Sequence, residues 1–160
     1  MFIFGGRMVI YFSRSKKTEV FAKILSDVKQ MPLFQLSSDL NEMRTFPFIF
    51  KALWLVIRDK SHPVKKIPES IPEEIYVCSP VWGGKVAAPV KFFLQNAELS
   101  NTKINILLTA STPTDKYVKN AEKLLQNTSC IPGNVNLFAA NSKEDVTDVE
   151  IIKEHMKELM

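Results

Sequence analysis

Met8-Val9-Ile10-Tyr11-Phe12-Ser13-Arg14-Ser15-Lys16-Lys17-Thr18 is the stretch that decides the fold class. Its first five residues are apolar without a break, rich in β-branched and aromatic side chains, and end at a serine. A run of that kind predicts a strand buried on both faces, since a half-exposed strand would alternate. Past Thr18 the period changes. Val20, Phe21, Ile24, Leu25 and Val28 recur at helical spacing, with Glu19, Lys23, Asp27 and Lys29 on the opposite side, and Pro32 ends the pattern. Leu33 to Leu36 predicts a short second strand.

The same alternation continues down the chain. Ile75–Cys78, Ile104–Leu108 and Val135–Phe138 are further short apolar runs. Between and after them lie helical stripes: Val90, Phe93, Leu94 and Ala97 behind Pro89; Tyr117, Val118, Ala121, Leu124 and Leu125; and Val149, Ile152, Met156 and Leu159. Strand and helix thus follow each other five times, with strands that are continuous rather than alternating. This predicts a three-layer α/β sandwich, a five-stranded parallel sheet with right-handed crossover helices on both faces. Asp39 to Lys60 is helical in composition, and Pro47 predicts a break with a new helix beginning near it. Phe46, Phe48, Phe50, Trp54 and Leu55 make that helix apolar almost all round. Burial in the core is the expectation, with a dimer contact or a partner surface through residues 46–57 as the other readings. Ser61 to Pro72, with three prolines, predicts a surface connection.

Composition narrows the class further. At 160 residues, 46% apolar and 24% charged, the chain has the balance of an ordinary globular domain. One domain is expected over residues 8–160, with residues 1–7 a tail upstream of an initiator at Met8. The most apolar stretch, Phe46–Ile57, contains Lys51 and falls short of the roughly 20 apolar residues of a bilayer span, so no membrane role is expected. Cys78 and Cys130 form no CxxC pair, and His62 and His155 are the only histidines, so no metal site is expected. No secretory signal is seen, and the expected compartment is the reducing cytoplasm. The net charge is +4 with pI near 9.0, and the whole excess lies in residues 1–80. That is too mild for a nucleic-acid binder, which carries a dense basic stripe.

An open parallel sheet binds ligands at the carboxyl ends of its strands, so the loops after strands carry the functional signal. The first, Ser13-Arg14-Ser15-Lys16-Lys17-Thr18, offers hydroxyls, cations and a helix N-terminus, which together suit a phosphate. Ser15 or Thr18 acting only as a helix cap is the competing reading. In the second, Ser79-Pro80-Val81-Trp82-Gly83-Gly84-Lys85, two adjacent glycines follow a tryptophan. The indole could offer a flat face to a planar ring, or it could anchor the loop, with a turn at the glycines. The third, Thr109-Ala110-Ser111-Thr112-Pro113, is small and polar.

Val9 to Thr18 followed by an amphipathic helix resembles the opening of the flavodoxin family, a strand running into a Ser/Thr-x-Thr-Gly-x-Thr phosphate loop. Ser79 to Gly84, with Ala88-Pro89-Val90-Lys91-Phe92-Phe93-Leu94 behind it, is similar to the family's second flavin loop and its following helix. The resemblance implies sheet order 2-1-3-4-5 and flavin mononucleotide (FMN) as cofactor. It implies that Ser13, Ser15 and Thr18, with the amides of Arg14 to Thr18, hold the phosphate. Pro80, Val81, Trp82, Gly83 and Gly84 would flank the ring, with Trp82 stacked on it and Gly83 or Gly84 near N5. Thr109, Ala110, Ser111 and Thr112 would line its pyrimidine side. No catalytic side chain is expected, because the cofactor does the redox chemistry.

The implied function is electron transfer with a redox partner protein, or NAD(P)H-linked reduction of a small acceptor such as a quinone. The alternative is a binding module that keeps the fold without FMN, using Lys16, Lys17 and the Phe46–Leu55 segment for another ligand or partner. Three departures stand out: Lys16-Lys17 where the family has a glycine, a third loop without its aromatic, and a basic rather than acidic chain.

Overall fold

A computed structural model describes residues 6–140 and 147–158. The element order is β1 (Arg7–Tyr11), α1 (Lys17–Lys29), β2 (Leu33–Gln35), a single 3-10 turn (Asp39–Asn41), α2 (Thr45–Ile57), β3 (Glu74–Trp82), β4 (Lys85–Val86), α3 (Ala88–Asn96), β5 (Lys103–Ala110), α4 (Asp115–Gln126), β6 (Ile131–Ala139) and α5 (Thr147–Glu158). β1 and β3 lie side by side in parallel, Ile10 opposite Val77, with β2 beyond β1 and β5 and β6 beyond β3. The parallel path β2-β1-β3-β5-β6 is the expected order once β4, a hairpin strand paired only with β3, is set aside.

The continuous apolar strands are buried on both sides, as their composition demands. Ile10, Ile75, Val77, Ile104, Ile106 and Leu108 pack with Val90, Phe93 and Leu94 of α3 and Ala121 and Leu125 of α4. The alternate residues Val9, Tyr11, Cys78 and Leu107 pack with Phe21, Ile24 and Leu25 of α1 and Met156 of α5. Two-residue periodicity along each strand therefore sorts the side chains into two cores, one per helical layer. The side chains of Val149 and Leu159, two of the four expected in the last stripe, lie outside the described residues.

Three expectations need correcting. β3 does not end at Cys78: it runs on to Trp82, its outer end paired with both β5 (Pro80 to Thr109) and β4 (Val81 to Val86). β6 begins at Ile131, four residues before Val135. The helix around residues 46–57 is not core. Of the 13 residues of α2 only Leu55 is buried, and Phe46, Ile49, Phe50, Leu53, Trp54 and Ile57 face outward. An all-round apolar helix lying over one margin of a layer can bury only the stripe that meets it, here Phe48 and Leu55 against Leu40, Ala88 and Trp82.

Candidate functional site

The carboxyl ends of β1, β3 and β5 meet where the strand order reverses, between β1 and β3, which is where an open α/β sheet leaves a crevice. The loop after β1 is short. Phe12 N–H donates to the Cys78 carbonyl (3.1 Å), and the chain then turns away through Ser13 to Lys16. Lys16 holds the N-cap position of α1 with φ 66°, the left-handed conformation that normally selects glycine. No side chain caps α1, so neither Ser15 nor Thr18 plays the capping role, and the first amides of the helix have no side-chain partner.

Tertiary bonds pin this loop. Asn41 Nδ2 donates to the Ser13 carbonyl (3.0 Å), and Arg14 Nη2 donates to the Met43 carbonyl (2.9 Å). The Arg14 guanidinium carbon sits 3.8 Å from the ring centroid of Phe48 on α2. Thr18, buried in the first turn of α1, shares a hydroxyl–hydroxyl bond of 2.8 Å with Thr109 at the end of β5, tying the first and third loops together. Two groups remain unpaired: among the described residues, Ser13 Oγ and Arg14 Nε are the buried side-chain polar atoms with no hydrogen-bond partner. A buried orphan of this kind costs about 1–3 kcal/mol unless a ligand or water meets it.

The second loop shrinks to a two-residue hairpin turn, because Pro80, Val81 and Trp82 belong to β3. Gly83 and Gly84 have φ of +57° and +81°, the doubly left-handed turn that joins antiparallel strands with the correct twist and requires glycine or asparagine. Both are hemmed in. A Cβ on Gly83 would strike Val56 of α2, and the Gly84 carbonyl accepts from Asn120 Nδ2 of α4 (2.8 Å). The turn therefore permits close approach of its backbone, while Asn120 opposes a peptide flip at Gly84. Behind it, Ser79 is wholly buried, and its hydroxyl accepts from the Ala87 amide (2.9 Å), fastening β3 to the start of α3.

Trp82 is half-buried. Its ring meets Phe12 (centroids 5.5 Å apart, 85°) and Phe48 (5.3 Å, 70°) in T-shaped contacts. It packs beside Leu40, Leu55 and Ala88, and it is not among the residues that line the cleft described next. Thr109 and Ala110 close β5, so the third loop proper is Ser111 to Thr114 and is exposed.

An open cleft of about 460 Å³ lies between the second and third loops, lined by Val81, Gly83, Gly84, Ala110, Ser111 and Thr112 together with Lys116 and Tyr117 of α4. That volume falls within the range of small-molecule sites. The third loop itself has no aromatic, and Tyr117 brings one to the cleft from the first turn of α4. The sequence shows it only as a position in an apolar helical stripe, although an aromatic so soon after a strand-end loop is a signal that could have found it. Asn41, Met43, Phe48, Val56 and Asn120, which hold the loops, carried no signal. Cys78 cannot act as a nucleophile here, because full burial pushes its thiol well above the ordinary cysteine range.

No protein-family model matches the chain, and a comparison with curated proteins gives no relative. Solved structures do resemble it. A candidate flavoprotein of Bacteroides uniformis superposes with a TM-score of 0.71 at 18% identity, over 96% of this chain and 98% of its own. A Lactobacillus acidophilus flavoprotein in complex with FMN gives 0.64 at 21%, over 82% and 91%. The Trp repressor binding protein of Bacillus subtilis gives 0.59 at 10%, over 96% of each chain. The fold is flavodoxin-like. Within the flavodoxin-like frame the sheet order and the reversal between β1 and β3 stand where the sequence resemblance put them. Among the described residues, no helix is long and apolar enough to cross a membrane.

Proposed function

We propose that this protein binds FMN at the carboxyl edge of its sheet and works as a redox protein. The observation that carries this reading is the pair of buried, unpartnered groups, Ser13 Oγ and Arg14 Nε, in the loop that opens into an uncapped helix N-terminus. A phosphate is the ligand that such a loop suits. It accepts from the hydroxyl, the guanidinium and the free amides of α1 together, with the helix dipole and the cations of Lys16 and Lys17 adding to the attraction. The flavodoxin-like fold and its FMN-bound neighbour from Lactobacillus acidophilus support the same ligand.

In this reading Ser13, Arg14, Ser15 and the amides of Lys17 and Thr18 hold the phosphate. The Gly83-Gly84 turn, Ala110 to Thr112 and Tyr117 receive the ring system in the cleft. Bound FMN supplies reversible one- and two-electron redox chemistry. The chain's part is to position that group and to set its surroundings. Thr18 acts by fixing loop one against β5 rather than by reaching outward, since its hydroxyl is engaged by Thr109. Trp82, wedged between Phe12 and Phe48, sets the position of the hairpin that carries the glycines. We assign the protein to electron exchange with a partner protein or with NAD(P)H and a small acceptor such as a quinone. Its two free cysteines suit a reducing compartment such as the cytoplasm.

Titration of the apo protein with FMN and with riboflavin tests this. FMN should bind the more tightly. Ser13→Ala should cost about 1.5–3 kcal/mol, roughly 10- to 150-fold, toward FMN and leave riboflavin unchanged, because hydrogen bonds to charged groups are of that size. Equal affinity for the two ligands, or binding of neither, would sink the proposal.

A further inference from the structure

Six apolar side chains of α2 face solvent: Phe46 is 77% exposed, Phe50 71% and Ile57 70%, with Ile49, Leu53 and Trp54 about half exposed. They form one stripe of the helix, opposite the Phe48 and Leu55 stripe that packs on the domain. With aromatic side chains presenting about 150–250 Å² each, the exposed stripe amounts to an apolar patch on the order of 700 Å². That exceeds the roughly 300–600 Å² of the largest patch on a typical monomer and approaches the roughly 800 Å² per partner of a standard interface.

The spacing of the six residues identifies the occupant. Their steps along the chain are three, one, three, one and three, a palindrome centred between Lys51 and Ala52. Turned about a two-fold axis at that centre, an antiparallel copy of the helix sets Phe46 against Ile57, Ile49 against Trp54 and Phe50 against Leu53. Every apolar residue therefore meets another of the same set, which is what an isologous interface requires. A membrane surface fits less well. Helices that lie in a bilayer interface carry cations along their polar flanks. Here the cations Arg44, Lys51 and Arg58 all share one flank, and Thr45, Ala52 and Val56 leave the other uncharged.

We propose that two copies of this chain associate through α2, antiparallel about a two-fold axis near residues 51 and 52, each covering the Phe46–Ile57 stripe of the other. In the same helix Phe48 supports Trp82 and Val56 overlies Gly83, so the dimer braces the wall behind the hairpin turn. The association does not depend on flavin and stands or falls separately from the proposed function.

Sedimentation equilibrium of the full chain without added flavin, between about 1 and 100 µM, tests it in the range where interfaces of this size associate. The wild type should be dimeric. Phe50→Glu and Leu53→Lys, both at exposed positions, should each raise the dissociation constant by about 30-fold or more while far-UV circular dichroism stays native. Mixed together, the two variants should recover a heterodimer, because residue 50 of one copy faces residue 53 of the other. A wild type that stays monomeric throughout overturns the proposal. So does a monomer that pellets with vesicles containing phosphatidylglycerol, which would assign the stripe to a membrane. Variants that dimerise undiminished, or a mixture that stays monomeric, overturn the pairing.

Discussion

Gly83→Ala isolates the packing of α2 on the hairpin turn. Two separate costs fall on the alanine. Gly83 has φ +57°, and an L-residue held there loses about 1–2 kcal/mol. Its new Cβ would also overlap Val56 Cγ1 and come within 3.1 Å of Cγ2, and overpacking of this kind costs about 1–3 kcal/mol. The single mutant should therefore be less stable by about 2–5 kcal/mol, the sum of the two ranges. Val56→Ala removes the obstructing methyls, and on that background Gly83→Ala should cost only the backbone part, about 1–2 kcal/mol. Gly84→Ala supplies the control. At φ +81° it bears the same backbone strain, yet its nearest neighbour would be Tyr117 Cε1 at 3.5 Å, an ordinary contact. Urea unfolding of the four variants and the wild type, with the slope checked for constancy, gives the double-mutant cycle directly. If Gly83→Ala costs the same with and without Val56, to within about 0.5 kcal/mol, then α2 does not lie on the turn and the account of the site's rear wall is wrong.

The remaining predictions concern the joints and titrating groups around the site. Thr18→Val breaks the buried hydroxyl pair with Thr109 and strands the Thr109 hydroxyl. It should cost about 1–3 kcal/mol in urea unfolding, much of it recovered when Thr109→Val is added; strict additivity would show that the two hydroxyls do not meet. Cys78 is wholly buried with its thiol pushed up by burial, and Cys130 is half-buried. A thiol reagent should thus leave Cys78 untouched until the protein unfolds, and two rapidly labelled thiols in the native state would refute its place under α1. Burial, reinforced by Lys51, lowers the His62 pKa below its ordinary 6.5. The unfolded state then binds the proton more readily, so stability should be full above about pH 6.5 and decline as the pH falls through the lower folded-state value. His62→Gln should remove that part of the decline, and a pH profile identical to wild type would exclude the linkage.

The parallel sheet was legible because its central strands are nearly continuous apolar runs, broken in β5 only by Asn105, and a strand covered on both faces is built that way. What escaped were segments whose local chemistry disagrees with their place. Pro132-Gly133-Asn134 has the composition of a turn, yet it lies in β6 at the sheet's edge, where proline is tolerated. There the register shifts, and Asn134 N–H donates to Asn105 Oδ1 (3.0 Å) in place of a ladder partner. Ser79-Pro80 likewise reads as the end of a strand, but neighbouring β5 carries the pairing past it. Gly83-Gly84 was legible as a turn; that it closes a hairpin depended on Lys85-Val86, two residues too few to predict alone. The apolar composition of α2 was plain, and which stripe it buries was not, since that depends on where the sheet's helical layer ends.

The site divides along the same line. The three loops could be found from the sequence because topology alone brings strand ends together. The residues that hold them could not, because each acts across a long sequence separation: Asn41 on Ser13, Met43 and Phe48 on Arg14, Thr109 on Thr18, Asn120 on Gly84, Val56 on Gly83. These contacts explain how the chain dispenses with a glycine in its first loop. A glycine would reach the left-handed turn at no steric cost, whereas Lys16 adopts φ 66° at an expense of about 1–2 kcal/mol. Such strain persists only where surrounding structure fixes it, and here the segment before α2, α2 itself and β5 all grip the loop. The lysine adds a cation beside the helix N-terminus that a glycine could not supply. The same contacts leave Ser13 Oγ and Arg14 Nε unpaired while fixing nearly everything around them. Under the proposed function, that is the pattern expected of a preorganised anion site, in which the donors are set before the ligand arrives.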